Sequence, residues 1–114
     1  MGSHRGFRRY CYRIEYMGQI KMNDDLRETL LILMEECAEV SQAISKCFRF
    51  GPDQLKPGKD RTNINMLEEE IGDLMAMVEL LVDCKVGVTD QGIFEAKMKK
   101  FEKLKQWSNL TINK

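Results

Sequence analysis

The sequence predicts an all-α protein, a helical bundle that is completed by oligomerisation. Two long segments and one shorter segment carry apolar residues at steps of three and four, which is the spacing of one helix face. Gly and Pro residues separate these segments, as expected where helices end. A chain of 114 residues is long enough for one core but short for a deep cleft. We therefore expect one domain that associates with further copies.

Composition narrows the function classes. The 18 basic and 18 acidic residues cancel, so binding to nucleic acid through a global positive field is not favoured. No apolar stretch approaches the roughly 18 to 20 residues of a membrane span. The four cysteines are scattered without CxxC spacing: Cys11, Cys37, Cys47 and Cys84. Reduced thiols and a cytoplasmic protein are the expectation.

Residues 1–22 are predicted to form a basic N-terminal arm, partly vector-derived or disordered. This segment begins Met1-Gly2-Ser3-His4 and shows no helical or strand period. Its mixture of arginine and tyrosine leaves open a contact with nucleic acid or with a base. The helical domain is predicted over residues 23–107, followed by a frayed tail over 108–114.

The first helix is expected to begin at Asn23-Asp24-Asp25, because these residues are good N-caps and their charge suits a helix N-terminus. Its first apolar seam, which we expect to pack in the bundle, consists of Leu30, Met34, Cys37, Ser41, Ile44 and Phe48. A second strip beside it consists of Ile32, Leu33, Val40, Ala43 and Cys47. Gly51-Pro52 ends the helix, and residues 53–62 form a polar loop, either a lid or a connector.

The second helix can be capped by Thr62, Asn63 or Asn65. Its seam consists of Leu67, Ile71, Leu74, Val78 and Leu81. Gly72 lies inside this helix and weakens it by about 1 kcal/mol relative to Ala. We therefore expect a close contact with another helix or a ligand at Gly72.

The third helix is expected to begin at Thr89-Asp90, after the break at Val86-Gly87-Val88. Its predicted buried side consists of Phe94, Met98, Phe101 and Leu104. Lysines crowd its other sides, mostly as a solvated face, with one or two able to reach a phosphate. Trp107 is expected to anchor the packing of the helix end.

Acidic residues give the first two helices a possible chemical role. The pairs Glu36/Glu39 and Glu70/Asp73 are each three residues apart, so each pair projects from one helix face. The four acids converge if the two helices pack side by side. Carboxylates that repel one another favour a bound cation, and oxygen ligands without His or Cys suit Mg²⁺ or Mn²⁺.

Among the acids, Glu36 is the one that the sequence predicts to be buried. Its neighbours one turn away are Ile32, Leu33 and Val40, so its carboxylate is drawn into a packed interface and needs a partner there. A solvated acidic face fits Glu35 better.

Basic residues follow the acids of the first helix. Lys46 lies two turns beyond Glu39 on the same face, about 10 Å along the axis, and Arg49 follows it. A polyphosphate could bridge these cations and a metal, although basic residues also complement the dipole of any last helical turn.

These residues resemble a known family. Glu35, Glu36 and Glu39, followed by Glu70 and Asp73, match the EExxE and ExxD signature of the MazG-like all-α nucleoside triphosphate pyrophosphohydrolases. The K-x-x-R-F-G run from Lys46 to Gly51 and Asn63, seven residues before Glu70, are closest to short single-domain phage and bacterial members. The resemblance covers residues 26–82 well, the third helix loosely and the first 22 residues not at all. The interval from Glu39 to Glu70 is slightly long for the family.

The resemblance implies a homodimeric or homotetrameric helical bundle that hydrolyses (d)NTPs to the monophosphate and pyrophosphate with Mg²⁺, for nucleotide pool control. It places Glu36, Glu39, Glu70 and Asp73 as metal ligands and Glu35 as a further ligand or the catalytic base. Lys46 and Arg49 would face phosphates, and Asn63 would contact substrate. It also implies the cytosol of a bacterium or of a phage-infected cell, with no membrane and no stable nucleic-acid binding.

Two other readings use the same acids. In a non-catalytic oligomerisation or interaction module, they would pair with Lys and Arg. A carboxylate-bridged di-iron bundle usually contains Glu-x-x-His, and the sole histidine, His4, lies outside both acidic helices. Base and sugar preference cannot be read from these residues.

Overall fold

Three helices and a short hairpin build the described part of the chain. The computed structural model describes residues 14–16, 19–55 and 57–112. Its elements are β1 (Ile14–Tyr16), β2 (Gln19–Lys21), α1 (Asp24–Phe50), α2 (Asn63–Asp83) and α3 (Asp90–Trp107). The helices confirm the predicted all-α fold class. Within these ranges, no helix is both long and apolar enough to cross a membrane.

The hairpin lies in a segment whose sequence shows no strand period. β1 and β2 pair antiparallel, with Ile14 opposite Lys21. The predictions made for residues 1–13 and 17–18 lie outside the described residues.

Each helix begins at a side chain that the sequence offers as a cap. The Asn23 side-chain oxygen accepts a hydrogen bond from the backbone N–H of Leu26 at 2.8 Å. Thr62 caps α2, and Thr62 and Asn65 form a reciprocal capping box. Thr89 accepts from the backbone N–H of Gly92 at 2.9 Å. These bonds satisfy helix N–H groups that have no partner within the helix.

α1 and α2 form a helical hairpin that holds the core. Leu26 at the start of α1 packs with Leu81 and Cys84 at the end of α2, so the two helices run antiparallel. The second strip of α1 turns towards α2, as predicted: Ala43 is buried and Ile32, Leu33, Val40 and Cys47 are half-buried. Among the described elements, this pair makes the only extensive helix–helix contact.

The first seam of α1 does not pack within the chain. All six of its residues are exposed, including Met34 at 62% and Phe48 at 87%. The expectation that this seam is buried is therefore wrong for the single chain, because the second strip is the face that α2 covers. Burial against another copy stays a prediction.

α3 also lacks its predicted packing. None of its residues is buried, Phe94 is 50% exposed and Met98 38%. The predicted buried side is therefore wrong for the single chain, since α3 makes no extensive contact with α1 or α2. Trp107 is 80% exposed and does not anchor the helix end, which corrects that prediction.

Two further expectations concern Gly72 and the cysteines. A Cβ built on Gly72 meets no atom of another element within 4 Å, so the predicted contact is not made within the described chain, and a contact with a ligand or a second copy stays a prediction. Cys84 is fully buried and disulfide-bonded, whereas four reduced thiols were expected. Cys37 and Cys47 are free.

Candidate metal centre and substrate groove

Carboxylates from both long helices meet at one point between α1 and α2. Glu36 on α1 and Glu70 and Asp73 on α2 each place a carboxylate oxygen within 4.8 Å of the others. The antiparallel packing creates this convergence, because it sets the middle of α1 beside the middle of α2. Glu36 and Glu70 are half-buried and Asp73 is exposed, so the cluster opens to solvent on one side.

Glu39 and Glu35 lie at the edge of this cluster. The negative charge of Glu39 acts on both Glu36 and Glu70, and Glu39 lines a cleft with Glu70. Glu35 is exposed, and its charge acts on Glu36. Both therefore add to the negative potential of the site, although neither belongs to the group of three. Their predicted roles, as ligand and as base, stay predictions.

Crowding changes the acidity of two of these carboxyls. Partial burial raises the pKa of Glu36 above its usual 4.5, and the charges of Asp73, Glu39 and Glu35 raise it further. Partial burial likewise raises the pKa of Glu70, with Glu39 as the next largest cause. Desolvation and like charges both disfavour the ionised form. The ionised carboxylates of the site therefore repel one another and are partly desolvated, and a bound cation would offset both effects.

The donor set fits a hard divalent cation. Every ligand atom in the group of three is a carboxylate oxygen, the donor that Mg²⁺ and Mn²⁺ prefer. Zn²⁺ favours His and Cys, and neither contributes here. Glu36, Glu70 and Asp73 would hold the ion.

A narrow cleft of about 30 Å³ leads from the carboxylates along the α1–α2 groove. Its lining residues are Glu39, Gln42, Ala43, Lys46, Asn63, Met66 and Glu70. The structure thus places Lys46 and Asn63, both predicted to contact substrate, beside two of the acids. Their roles stay predictions, but their positions share one groove.

Asn63 has a structural contact in addition to its place in the groove. It is 5% exposed, and its side-chain Nδ2 donates to the carbonyl oxygen of Gly51 at 2.9 Å. Gly51 has a φ of 96°, a conformation that glycine adopts readily, and this turn carries the chain from α1 into the loop. Asn63 therefore fixes the end of α1 against the start of α2.

Arg49 lies apart from the acids. It does not line the cleft, and its guanidinium lies 4.8 Å from the centroid of the Phe50 ring. Its predicted contact with phosphates stays a prediction.

Sequence reasoning missed Gln42 and Phe50. Gln42 lines the cleft between Glu39 and Lys46, three and four residues away, and that helical spacing was a usable signal. Phe50 lines a second cavity together with Lys46. Its signal was weaker, because an aromatic residue near a helix end is ordinary.

A hairpin of two helices with a shared acidic cluster defines an all-α protein with a candidate cation site. The family model of the MazG nucleotide pyrophosphohydrolase domain matches residues 25–107. The chain therefore belongs to the MazG nucleotide pyrophosphohydrolase family. Searches among curated proteins and among solved structures give no match.

Proposed function

We propose that this protein is a Mg²⁺-dependent pyrophosphohydrolase that cleaves (deoxy)nucleoside triphosphates to the monophosphate and pyrophosphate, for nucleotide pool control. The observation that carries the proposal is the meeting of Glu36, Glu70 and Asp73 across two helices. The family match supports nucleotide pyrophosphohydrolase chemistry in general.

In this proposal, water attacks the α-phosphorus, the bond from that phosphorus to the bridging oxygen breaks, and pyrophosphate leaves. Glu36, Glu39, Glu70 and Asp73 would hold Mg²⁺, which Mn²⁺ could replace. The bound ion would supply neutralising charge for the phosphate oxygens. These carboxylates stand on two rigid helices, so little reorganisation would be needed to hold the ion.

Other side chains accept the proton of the attacking water and offset the negative charge of the phosphates. Glu35 accepts the proton of the attacking water, since it is exposed to solvent and its charge acts on Glu36 in the cluster. Lys46 lies in the cleft with Glu39 and Glu70, so its ammonium can offset phosphate charge there. Arg49 adds a second positive charge at the end of α1, and Asn63 contacts the substrate from the opposite wall.

We further propose a homodimer or homotetramer. Two apolar faces lack a partner within the described chain, namely the first seam of α1 and a strip on α2. The α2 strip includes Ile64 and Ile71, which line a shallow cavity, and the nearby Met75. Exposed apolar surface of this extent marks interaction sites, and two such faces suit either assembly.

The cytosol of a bacterium or of a phage-infected cell is the proposed location, because (d)NTPs are the substrates. Disulfides are rare in that compartment, so the disulfide of Cys84 is unusual for this location. A thiol count on unfolded protein, purified without reductant, tests both points. Two reactive thiols would match the disulfide in the structure and count against the cytosol, whereas four would agree with the cytosol and show that Cys84 is reduced.

A panel of (d)NTPs with Mg²⁺ tests the reaction. We expect monophosphate and pyrophosphate as products, and a loss of turnover of at least about 100-fold in Glu39→Gln and Asp73→Asn. Glu28→Gln is the matched control, because Glu28 is an exposed acid of α1 outside the cluster. It should retain turnover.

The products separate this proposal from its competitors. Diphosphate and orthophosphate would reject cleavage at the α-phosphorus. No turnover, together with no heat of Mg²⁺ binding in calorimetry, would favour the non-catalytic module. Unchanged turnover in both cluster variants would remove the acids from the mechanism. Where turnover is lost, circular dichroism should show intact helices, so that the loss reflects the site and not unfolding.

A further inference from the structure

A second cavity continues the groove beyond the cleft. It has a volume of about 280 Å³ and lies where the end of α1, the loop and the start of α2 meet. Lys46 and Asn63 line both this cavity and the cleft that holds Glu39 and Glu70. The two spaces therefore adjoin at these two residues. Phe50, Gln54 and Pro57 line the far end alone.

The lining of the groove changes from charged to aromatic along its length. On α1 the step from Glu39 to Phe50 covers about 16 Å, and on α2 the step from Glu70 to Asn63 covers about 10 Å. Because the helices are antiparallel, both steps run the same way, from carboxylates to an aromatic wall. A nucleoside triphosphate has matching ends, a charged chain that binds cations and a flat base.

The far walls suit a base better than they suit phosphate. The Phe50 ring is 48% exposed, so it offers a surface for stacking, and the Arg49 guanidinium lies over it. Pro57 adds a second apolar wall. Among the described residues that line this cavity, the one cation is Lys46, and it also lines the cleft.

Two amide side chains that line the cavity can form hydrogen bonds with a nucleotide. The side-chain amide of Gln54 makes no hydrogen bond within the described residues, so its donor and acceptor are both open to a base edge. Asn63 gives its Nδ2 to Gly51, which leaves its Oδ1 as an acceptor at the junction of the two spaces. A sugar hydroxyl at that position is a suitable donor.

We infer that the cavity lined by Phe50, Gln54 and Pro57 is the nucleobase subsite, and that Gln54 sets the base preference. The inference rests on the proposed triphosphate site and deepens it. It fixes the orientation of the substrate, with the base at Phe50, the sugar at Asn63 and the α-phosphate towards the acids, where the proposed attack occurs. Lys46, which lines both spaces, is then placed to offset the charge of the departing pyrophosphate.

Equilibrium binding of a nucleotide and of a base-free triphosphate tests this subsite. Calorimetry with Mg²⁺ compares a non-hydrolysable (d)NTP analogue with methyl triphosphate, which has the same charged chain but no sugar or base. We expect Phe50→Ala to weaken nucleotide binding about 10-fold and to leave methyl triphosphate unchanged, because stacking on an aromatic ring is lost. Phe50→Tyr should retain the nucleotide affinity.

Phe94→Ala is the matched control. Phe94 is 50% exposed and has the Lys97 ammonium 5.7 Å from its ring centroid, so it resembles Phe50 in exposure and in its cation, but it lies on α3. This variant should bind both ligands as the unchanged protein does. Gln54→Leu should reduce the differences in affinity among the four bases.

The outcomes test the base subsite separately from triphosphate hydrolysis. If Phe50→Ala weakens both ligands equally, or neither, the base does not bind at Phe50, whereas triphosphate hydrolysis still stands. If base preferences are unchanged in Gln54→Leu, Gln54 does not select the base. If neither ligand binds the unchanged protein, both the subsite and the proposed function fail.

Discussion

At the residue scale, the acidic cluster between α1 and α2 brings like charges together in the folded chain. Glu36 and Glu70 are half-buried beside other carboxylates, and their raised pKa values show that the folded chain disfavours their charge. Nearby cations could relieve this repulsion, but among the described residues that line the cleft beside the acids the one cation is Lys46. The cluster therefore resembles a prepared cation site more than a structural ion-pair network.

Removing one charge should separate stability from function. Glu70→Gln is expected to raise the melting temperature of the metal-free protein, because one repelling carboxylate is lost. The same change should abolish most of the stabilisation that Mg²⁺ gives the unchanged protein. Thermal melts with and without Mg²⁺ measure both effects. A lower melting temperature without metal would show that Glu70 is held by a contact instead of being repelled.

Stability and metal binding should respond to pH in opposite directions. Because the pKa values of Glu36 and Glu70 are raised in the folded state, that state binds more protons than the unfolded chain above pH 4.5. The contribution of these two groups to metal-free stability therefore falls as pH rises through the raised values. Bound Mg²⁺ needs the ionised carboxyls, so its stabilisation should grow over the same window. A metal effect on melting that is equal at pH 4.5 and pH 7 would contradict this assignment.

At the element scale, local signals in the sequence predicted the helices well. Asn23, Thr62 and Thr89 each cap a helix as their side-chain chemistry indicates, and Gly51 ends α1. The acids could be paired from their spacing alone, because helix geometry fixes which residues share a face. The cavity beyond Lys46 could not be predicted, because it depends on how the loop containing Gln54 and Pro57 returns to α2.

Gly72 offers a test of what lies against α2. In the single chain a methyl group there meets nothing within 4 Å, so Gly72→Ala should stabilise the helix by about 0.5–1 kcal/mol. The exposed Ala76, one turn later, provides the reverse control, since Ala76→Gly should cost a similar amount. Denaturant unfolding measures both changes. Destabilisation by Gly72→Ala would mean that a partner helix occupies the space beside Gly72.

At the scale of the whole molecule, the single chain buries little apolar surface. Among the described residues, the buried hydrophobic side chains are Leu26, Ala43, Leu81 and Cys84. A core of this size contributes little against the conformational entropy of the ordered chain. The sequence predicted apolar faces correctly but could not say which are covered within one copy, because the same periodicity serves both kinds of packing.

Substitution of two methionines of similar exposure distinguishes a homodimer from a homotetramer. Met34 in the α1 seam is 62% exposed and Met75 on α2 is 64% exposed. We expect Met34→Lys to shift the protein to a smaller species in sedimentation, because a charge would enter the copy-to-copy contact. In a homodimer formed through the seam, Met75→Lys should leave the mass unchanged. In a homotetramer that uses both faces, it should yield dimers. A Met34→Lys protein of unchanged mass would exclude the seam as the interface.

Two faces of α1 lie on one rigid helix, and this links events that are separate in space. One face packs on α2 and carries Glu36 and Lys46 at the groove, and the other is the seam. Self-association that restricts the motion of α1 would also restrict the motion of the ligand groove. Nucleotide binding would then strengthen self-association, because the coupling between two binding events is reciprocal. Dilution of the protein should accordingly weaken its apparent affinity for nucleotide.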